Sequence, residues 1–505
     1  MARMPAFVDV RPLPPVSRCA SALWEKWWLY VVIVVAAVLI RAPTFGNPNY
    51  HIDEGFYLLV GDRMRGGALP YVDIWDRKPF GLFLLYWLIA VVGRGNMLAV
   101  QIAACIAATG TAMGIAAIAR RWVAPLPALL AALLYLAGLE MLAGGGGQSP
   151  VFYNGLLTAM AWATLSAGAE ATPDRARRLA ARAALCGGLA LTIKPTALAE
   201  CLFLGTLLAR QEWRRVRTPA ALLRTLTSLA ALGMAPTLLC LGFFTARGYA
   251  GEYLFATVAS NFARMPMAGT ERLALAAYLV PRVVPLVLLA LAGAAVLMRR
   301  RERAGAGFVV GWVCAAGLGF LMVPNFYDHY ALPLLPPLAV AAAPMIARRP
   351  LGSAIATGLI GWSLTLASWP AVGRTMTAQA AMARAVQAIG AAGGTRSLYV
   401  YDGPPQLYML TGAPLPTHRV FPEHLSTAEE QHATGIDATQ EVARILSTRP
   451  AVIVTTLGEG PRHPNPASRL LIRAAIARDY RQVAVVALPS FGMTQTIAIF
   501  AQRSK

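Results

Sequence analysis

Residues 51–81 read HIDEGFYLLVGDRMRGGALPYVDIWDRKPFG, and the interpretation of the whole chain turns on them. The stretch follows the first apolar segment and gathers ten ionisable residues into one loop: His51, Asp53, Glu54, Asp62, Arg63, Arg65, Asp73, Asp76, Arg77 and Lys78. Only 14% of the chain is charged, so this crowding beside a membrane points to a loop that handles a charged ligand. Ordinary solvated charge is the plainer alternative. Against it, Asp53 and Glu54 are adjacent acids just past one membrane boundary, and Lys78 precedes Pro79 just before the next apolar run. Acids and bases at the two ends of one loop can converge on one headgroup.

Composition sets the class. A chain of 505 residues with 57% hydrophobic content and a mean hydropathy of +0.53 belongs with polytopic membrane proteins. The net charge of +21 does not indicate nucleic acid, because the arginines punctuate apolar runs as positive-inside flanks do. The cysteines at 19, 105, 186, 201, 240 and 314 show no metal-ligand spacing and read as small apolar residues. The first 25 residues carry no short apolar core with a cleavage site, so the first apolar run is expected to be a retained anchor.

Apolar segments fall near 27–42, 79–93, 97–119, 124–143, 151–169, 183–209, 225–245, 275–298, 306–323, 330–347 and 351–369. Crossing ~30 Å of hydrocarbon takes about 20 residues. The run 79–93 is too short for a comfortable crossing, and 183–209 is broken by Lys194-Pro195. Arginine clusters at 120–121, 174–178, 210–217, 299–303 and 348–349 should all be cytoplasmic. They agree if 79–93 is shallow or re-entrant and 183–209 is a hairpin of two short helices turning near Lys194. The expected organisation is a cytoplasmic segment 1–26, a transmembrane domain 27–370 with about 10–12 helices and a first external loop 43–78, and an exported α/β domain 371–505.

In that tail, SLYVYD (397–402), AVIVTT (451–456) and TQTIAIF (494–500) read as strands, with helices at 429–446 and 468–480. About four strands are expected. Its histidines, 418, 424, 432 and 463, lack metal-ligand spacing and read as surface residues.

Several residues could carry chemistry. One acid of Asp53-Glu54 could activate an acceptor while the other holds the loop; favourable acids at a helix N-terminus are the alternative. Arg77 and Lys78 suit phosphate oxygens, or could snorkel to headgroups. Lys194 lies within LALTIKPTALAE, where an unpaired ammonium costs at least ~2.5–3.5 kcal/mol, and Glu200 is its plain structural partner. GGGGQSPVFYN (144–154) reads as a flexible connector in which Gln148 and Asn154 offer hydrogen bonds. NFYDHYALPLLPP (325–337) presents His329 beside Asp328, with Tyr330 following. Arg264 stands among arginines on the external side of the expected topology, and His51 and Tyr57 flank the acids.

The segment DEGFYLLVGDRMRGGALPYVDIWDRKPFG resembles the first external loop of the GT-C membrane glycosyltransferases, the dolichyl-phosphate-mannose protein mannosyltransferase-like superfamily, whose bacterial members include lipid A aminoarabinose and galacturonic acid transferases. The matching elements are Asp53-Glu54 and Lys78-Pro79-Phe80-Gly81, where Phe80 replaces a commoner second proline. Many relatives carry an acid where this chain has Gln148 and Asn154. The resemblance spans about 43–340. It implies a GT-C fold and an inverting transfer of sugar from a polyprenyl-phosphate donor to a lipid, glycan or protein hydroxyl on the periplasmic face of a bacterial inner membrane. It further implies Asp53 as general base, with Glu54 beside it. Lys78, Arg77, Lys194 and His329 would meet the donor phosphate, and His51, Tyr57, Gln148, Asn154, Arg264 and Tyr330 would line the substrate. No cofactor is required and a divalent metal stays open. Membrane lipids are partners and nucleic acid is not. A lipid-linked saccharide flippase or secondary transporter is the competing class, but it should show related halves, and none is evident.

Overall fold

The computed structural model describes residues 21–323, 325–457 and 463–503. Cys19 and most of the expected cytoplasmic segment 1–26 lie outside the described residues. The longer helices are α1 (Ser21–Arg41), α2 (Ile52–Arg65), α3 (Phe80–Gly93), α4 (Met97–Ala119), α5 (Pro125–Met141), α6 (Ser149–Ala169) and α7 (Pro173–Ile193). There follow α8 (Leu198–Val216), α9 (Pro219–Ala246), α10 (Gly269–Arg299), α11 (Arg303–Leu321), α12 (Leu335–Ile346), α13 (Leu351–Leu366) and α14 (Val372–Ala391). The tail adds β1 (Leu398–Val400), α15 (Ala438–Ser447), β2 (Val452–Thr456), α16 (Pro466–Asp479), β3 (Tyr480–Ser490) and β4 (Met493–Gln502).

Among the described residues, six helices are long and apolar enough to cross a bilayer: Trp27–Thr44, Met97–Ala119, Pro219–Ala246, Gly269–Arg299, Arg303–Leu321 and Asp328–Ile346. Three apolar helices, α3, α5 and α13, are shorter. The 14 residues of α3 reach only ~21 Å at 1.5 Å per residue, which suits the shallow element expected there.

The chain forms two compact units, neither continuous in sequence. One comprises Met1–Ala42, Ala104–Leu239 and Gly269–Pro370; the other comprises Pro43–Ala103, Cys240–Ala268 and Ala371–Lys505.

The first unit is helical. The expected turn at Lys194 is present: its backbone is extended (φ −151°, ψ 124°) and a 3-10 turn, Pro195–Ala197, follows. The chain then folds back, bringing Cys201 Sγ to 3.7 Å from Gly187 O. The two arms are not short, however. They have 21 and 19 residues because α7 starts at Pro173 and α8 runs to Val216. Ala, Leu and Arg are strong helix formers, so the arginine-rich flanks continue the helices where the sequence suggested loops. Glycine sets two close approaches. A Cβ at Gly188 would fall 2.1 Å from Gly233 O of α9, and one at Gly293 would fall 1.9 Å from Ala341 O of α12. Small residues of this kind let helices in lipid meet backbone to backbone.

The glycine run 144–147 is not a flexible connector. Arg41 is fully buried at the end of α1 and donates to Gly144 O (2.9 Å), Gly145 O (2.8 Å) and Gly146 O (2.9 Å). Its Nη1 also lies 3.5 Å from Glu140 Oε1. A Cβ at Gly144 would fall 2.8 Å from Leu332 Cδ2 and 2.9 Å from Leu139 O.

The second unit contains the α/β fold. Its sheet has the order β1-β2-β4-β3; β1 and β2 are parallel, while β4 pairs antiparallel with β2 and β3. Three strands lie where expected. The fourth, β3, forms a hairpin with β4 through Phe491-Gly492, where Gly492 takes φ +69°. A core of Tyr399, Ile453, Val442, Ile445 and Ile472 joins sheet to helices. The expected helix at 429–446 is confined to Ala438–Ser447, with Asp437 accepting Gln440 N–H as its N-cap. Residues before this cap form turns instead. The first external loop belongs to the same unit: Phe491 N–H donates to Tyr50 O (3.0 Å), and Arg63 Nη2 donates to Ala413 O (2.6 Å).

Replacing Arg41 by Met should lower stability by about 3–5 kcal/mol, because Glu140 would be left without its buried partner. Arg41→Met with Glu140→Gln should recover part of that loss. Thermal midpoints in detergent measure both, and an unchanged midpoint in the single variant would remove Arg41 as the anchor of the glycine run.

Candidate functional site

Two clusters of sequence-selected residues emerge, one in each unit. In the second unit, Asp53 and Glu54 occupy the first turn of α2, with His51 as N-cap; its Nδ1 accepts Asp53 N–H at 3.3 Å. The acids therefore do sit at a helix N-terminus, where the dipole favours negative charge. Their environments differ. Glu54 is buried at 1% exposure, whereas the Asp53 side chain is 17% exposed, with its Oδ2 4.0 Å from His51 Nδ1. Gln406 from the tail lies across this turn, and a Cβ at Gly55 would fall 2.2 Å from its Oε1.

The backbone of Lys78 is held at both polar groups. Asp76 Oδ1 accepts Lys78 N–H (2.7 Å) and Tyr71 Oη donates to Lys78 O (2.8 Å). Tyr71 is buried and takes φ +72°, uncommon for a bulky residue. Burial pushes its phenol well above the usual range, so it stays a donor; Tyr253, Asp76 and Cys240 act in the same direction. The Lys78 ammonium stands 5.8 Å from the centroid of the buried Tyr57 ring and 4.0 Å from Asp76 Oδ1.

Arg77 points elsewhere. Its two terminal nitrogens donate to Glu430 Oε1 (2.7 Å) and Oε2 (2.5 Å). Arg264 Nε adds a contact to Glu430 Oε1 at 2.9 Å. Glu430 is 1% exposed. Two arginines with ligand assignments from the sequence thus share a carboxylate that no local pattern revealed.

His424 departs from its expected surface position. It is 2% exposed, packs edge-on against Trp75 at 4.9 Å and faces Asp76 Oδ2 at 3.9 Å. Burial, then Arg77, Lys78, Arg419 and Arg264, hold its imidazole well below the usual value. Adjacent Glu423 keeps its surface open although protein mass crowds it. That crowding raises its carboxyl, Arg264 lowers it, Asp53 and Glu430 raise it, and Lys78 lowers it. Water contact tempers the rise.

In the first unit, the Lys194 ammonium lies 4.5 Å from the centroid of the Tyr330 ring. His329 packs edge-on to Tyr330 at 4.7 Å, with Nδ1 3.3 Å from Asp328 Oδ1. Lys194, Tyr330, Tyr153 and Glu200 line a cavity of ≈ 10 Å³, room for about one water. Glu200 is not the partner of Lys194; its Oε1 accepts from Trp312 Nε1 at 2.7 Å. Asn154 Nδ2 donates to Leu332 O (3.0 Å), and Gln148 is buried at the N-cap of α6. Among the described residues, no group of three or more His, Cys, Asp or Glu is placed to hold a metal ion.

No family model matches the chain, and no curated protein matches it. Solved structures do. Those of ArnT from Cupriavidus metallidurans cover 95% of this chain and 98% of their own, with TM-score 0.62. Identity is 14% for ArnT bound to undecaprenyl phosphate and 15% for its apo state. The chain therefore has the polytopic helical fold with a C-terminal soluble domain expected from its resemblance to the GT-C enzymes. The fold is similar to that of ArnT over nearly the whole length of both chains.

Acidification should destabilise the protein through His424. Its folded pKa is depressed, so below about pH 6.5 the unfolded chain binds the extra proton, costing up to ~1.4 kcal/mol per pH unit. Glu423 works in the opposite sense, because a raised carboxyl favours the protonated folded state as pH falls. Thermal midpoints between pH 7.5 and 5 should fall less in His424→Gln than in the unaltered protein. Parallel slopes would assign the acid sensitivity to other groups.

Proposed function

We propose that this chain is an inverting glycosyltransferase that moves a sugar from a polyprenyl-phosphate donor to an acceptor hydroxyl of a lipid, polysaccharide or protein. The carrying observation is that one unit holds Asp53, partly exposed in the first turn of α2, and Lys78, whose backbone is pinned by Asp76 and Tyr71 while its ammonium stands over the Tyr57 ring. The ArnT likeness supports the donor class, since that protein was solved with undecaprenyl phosphate.

Asp53 takes the acceptor proton as the hydroxyl oxygen attacks the anomeric carbon. The carbon–oxygen bond to phosphate breaks on the opposite face, inverting the centre, and the phosphate departs with its electron pair. Lys78 meets that charge, and its pinned backbone keeps the ammonium placed before reaction. Within the first unit, Lys194 and His329 are assigned to lipid phosphate from the family resemblance. Arg77 and Arg264, held by Glu430, brace the loop that carries Lys78. His51 orients Asp53, and Tyr57 supports Lys78. Tyr330 supports Lys194, and Gln148 and Asn154 of the first unit are assigned to lining the substrate. We place the reaction on the periplasmic face of a bacterial inner membrane, consistent with the arginine clusters.

General-base assistance is typically worth about 10²–10⁴ in rate. Asp53→Asn should therefore reduce turnover by about that factor with donor binding kept, and Glu54→Gln should cost less. Lys78→Met should weaken donor binding more than acceptor binding. Transfer assays with purified variants decide; near-normal turnover in Asp53→Asn with a dead Glu54→Gln would move the base by one residue. Topology has its own test in a cysteine-free background. A cysteine at exposed Ser447 should react with an impermeant maleimide from the periplasm, and one at Arg301 only after the inner membrane is opened. The reverse pattern would place the tail inside.

A further inference from the structure

A second, larger cavity of ≈ 420 Å³ lies within the first unit, bounded by α6, α7, α8 and α9 at their arginine-rich ends. Its volume falls in the range of small-molecule sites. Its lining is amphiphilic. Arg177, Arg215 and Arg224 share the polar part with one acid, Glu212, while Leu208, Leu229 and Leu232 line the apolar part. Along α9, Arg224 and Leu232 are eight residues apart, or ~12 Å at 1.5 Å per residue. That is the step from a headgroup to the upper acyl chain.

The polar wall is constructed by specific contacts. Arg215 Nη2 donates to Ala167 O and, at 3.1 Å, to Glu170 O. Glu212 is 5% exposed; its Oε1 accepts from Thr225 (3.1 Å) and lies 4.0 Å from Arg177 Nε. Arg224 is exposed; its carbonyl accepts from Ser228 Oγ (2.9 Å), and its guanidinium has no hydrogen-bond or ion-pair partner among the described residues. Gln211 Oε1 is buried without a hydrogen-bond partner. The α9 wall is open: only 6% of its apolar window is buried. Polar groups on so exposed a span need an amphiphile beside them, and arginine-lined pockets between spans take anionic headgroups.

We infer that this cavity binds one lipid bearing an anionic phosphate. Arg177, Arg215 and Arg224 hold the phosphate, and Leu208, Leu229 and Leu232 hold a chain. By the positive-inside rule it opens to the cytoplasmic leaflet, a side set by the arginine clusters and not by the proposed transfer chemistry. It stands independently of that chemistry. Two lipids share these features: a glycerophospholipid such as phosphatidylglycerol, and a polyprenyl phosphate.

The test uses the purified full chain, delipidated in detergent and titrated with phosphatidylglycerol, undecaprenyl phosphate or neutral phosphatidylcholine, followed by native mass spectrometry and thermal midpoint. One anionic lipid should bind saturably. Its half-saturating concentration should rise about tenfold or more when Arg177→Gln and Arg224→Gln are combined. Leu229→Trp, which fills the apolar part and keeps every charge, should weaken the same binding. Preference for phosphatidylglycerol identifies a leaflet lipid, and preference for undecaprenyl phosphate identifies the carrier; each supports the site. Equal binding of phosphatidylcholine, or wild-type affinity in both variants, would overturn it, leaving the arginines as topology signals only.

Discussion

One buried carboxylate organises the second unit. Glu430 accepts both terminal nitrogens of Arg77 and the Nε of Arg264. Each residue comes from a different one of the three chain segments that form this unit. Taking three charges out of water is costly unless geometry is good and lone pairs are filled. Here the bidentate fork and a third donor supply both. The first loop, the 240–268 segment and the tail are thereby fixed together. The tail is part of the scaffold that holds the loop.

That scaffold explains how Lys78 is placed. Arg77 is directed to Glu430, and its neighbour must then leave the backbone in another direction. Asp76 and Tyr71 take the amide and carbonyl of Lys78, so the main chain at this residue needs nothing from water or ligand. Tyr71 in turn packs among Phe83, Phe244 and Tyr253. Uncommon backbone geometry at Tyr71 is sustained by this surrounding aromatic packing, as strain near functional groups generally is.

The legibility of the chain follows from where each signal resides. Helices and the Lys194 break were legible because hydropathy and an intramembrane Lys-Pro are local properties. Asp53, Glu54 and Lys78 stood out as candidates because charge beside an apolar run is local too. The pairing of Arg77 and Arg264 with Glu430 was not, since 353 residues separate Arg77 from its acceptor and Glu430 stands in an unremarkable EEQ. His424 read as surface because nothing nearby shows that Trp75 covers it. The glycine run looked flexible because its constraint, Arg41, lies 103 residues away from Gly144. β3 was missed because its alternation is weak: VAVVALP carries few polar positions to mark a half-buried strand.

The cations selected from sequence divide by the partner each has. Arg77 and Arg264 rest on a carboxylate, which neutralises charge as it positions it. Lys78 and Lys194 each rest against a tyrosine ring. A ring attracts an ammonium through its quadrupole but carries no net charge. Asp76 Oδ1 lies 4.0 Å from the Lys78 ammonium and already accepts a backbone N–H. Lysine is also the better choice at such a point: its compact ammonium rotates three donors toward an incoming oxygen, while the planar fork of arginine suits a fixed carboxylate. Guanidinium on carboxylate holds the three segments of the second unit together, whereas an ammonium over an aromatic face is the arrangement on which the proposed anion site draws.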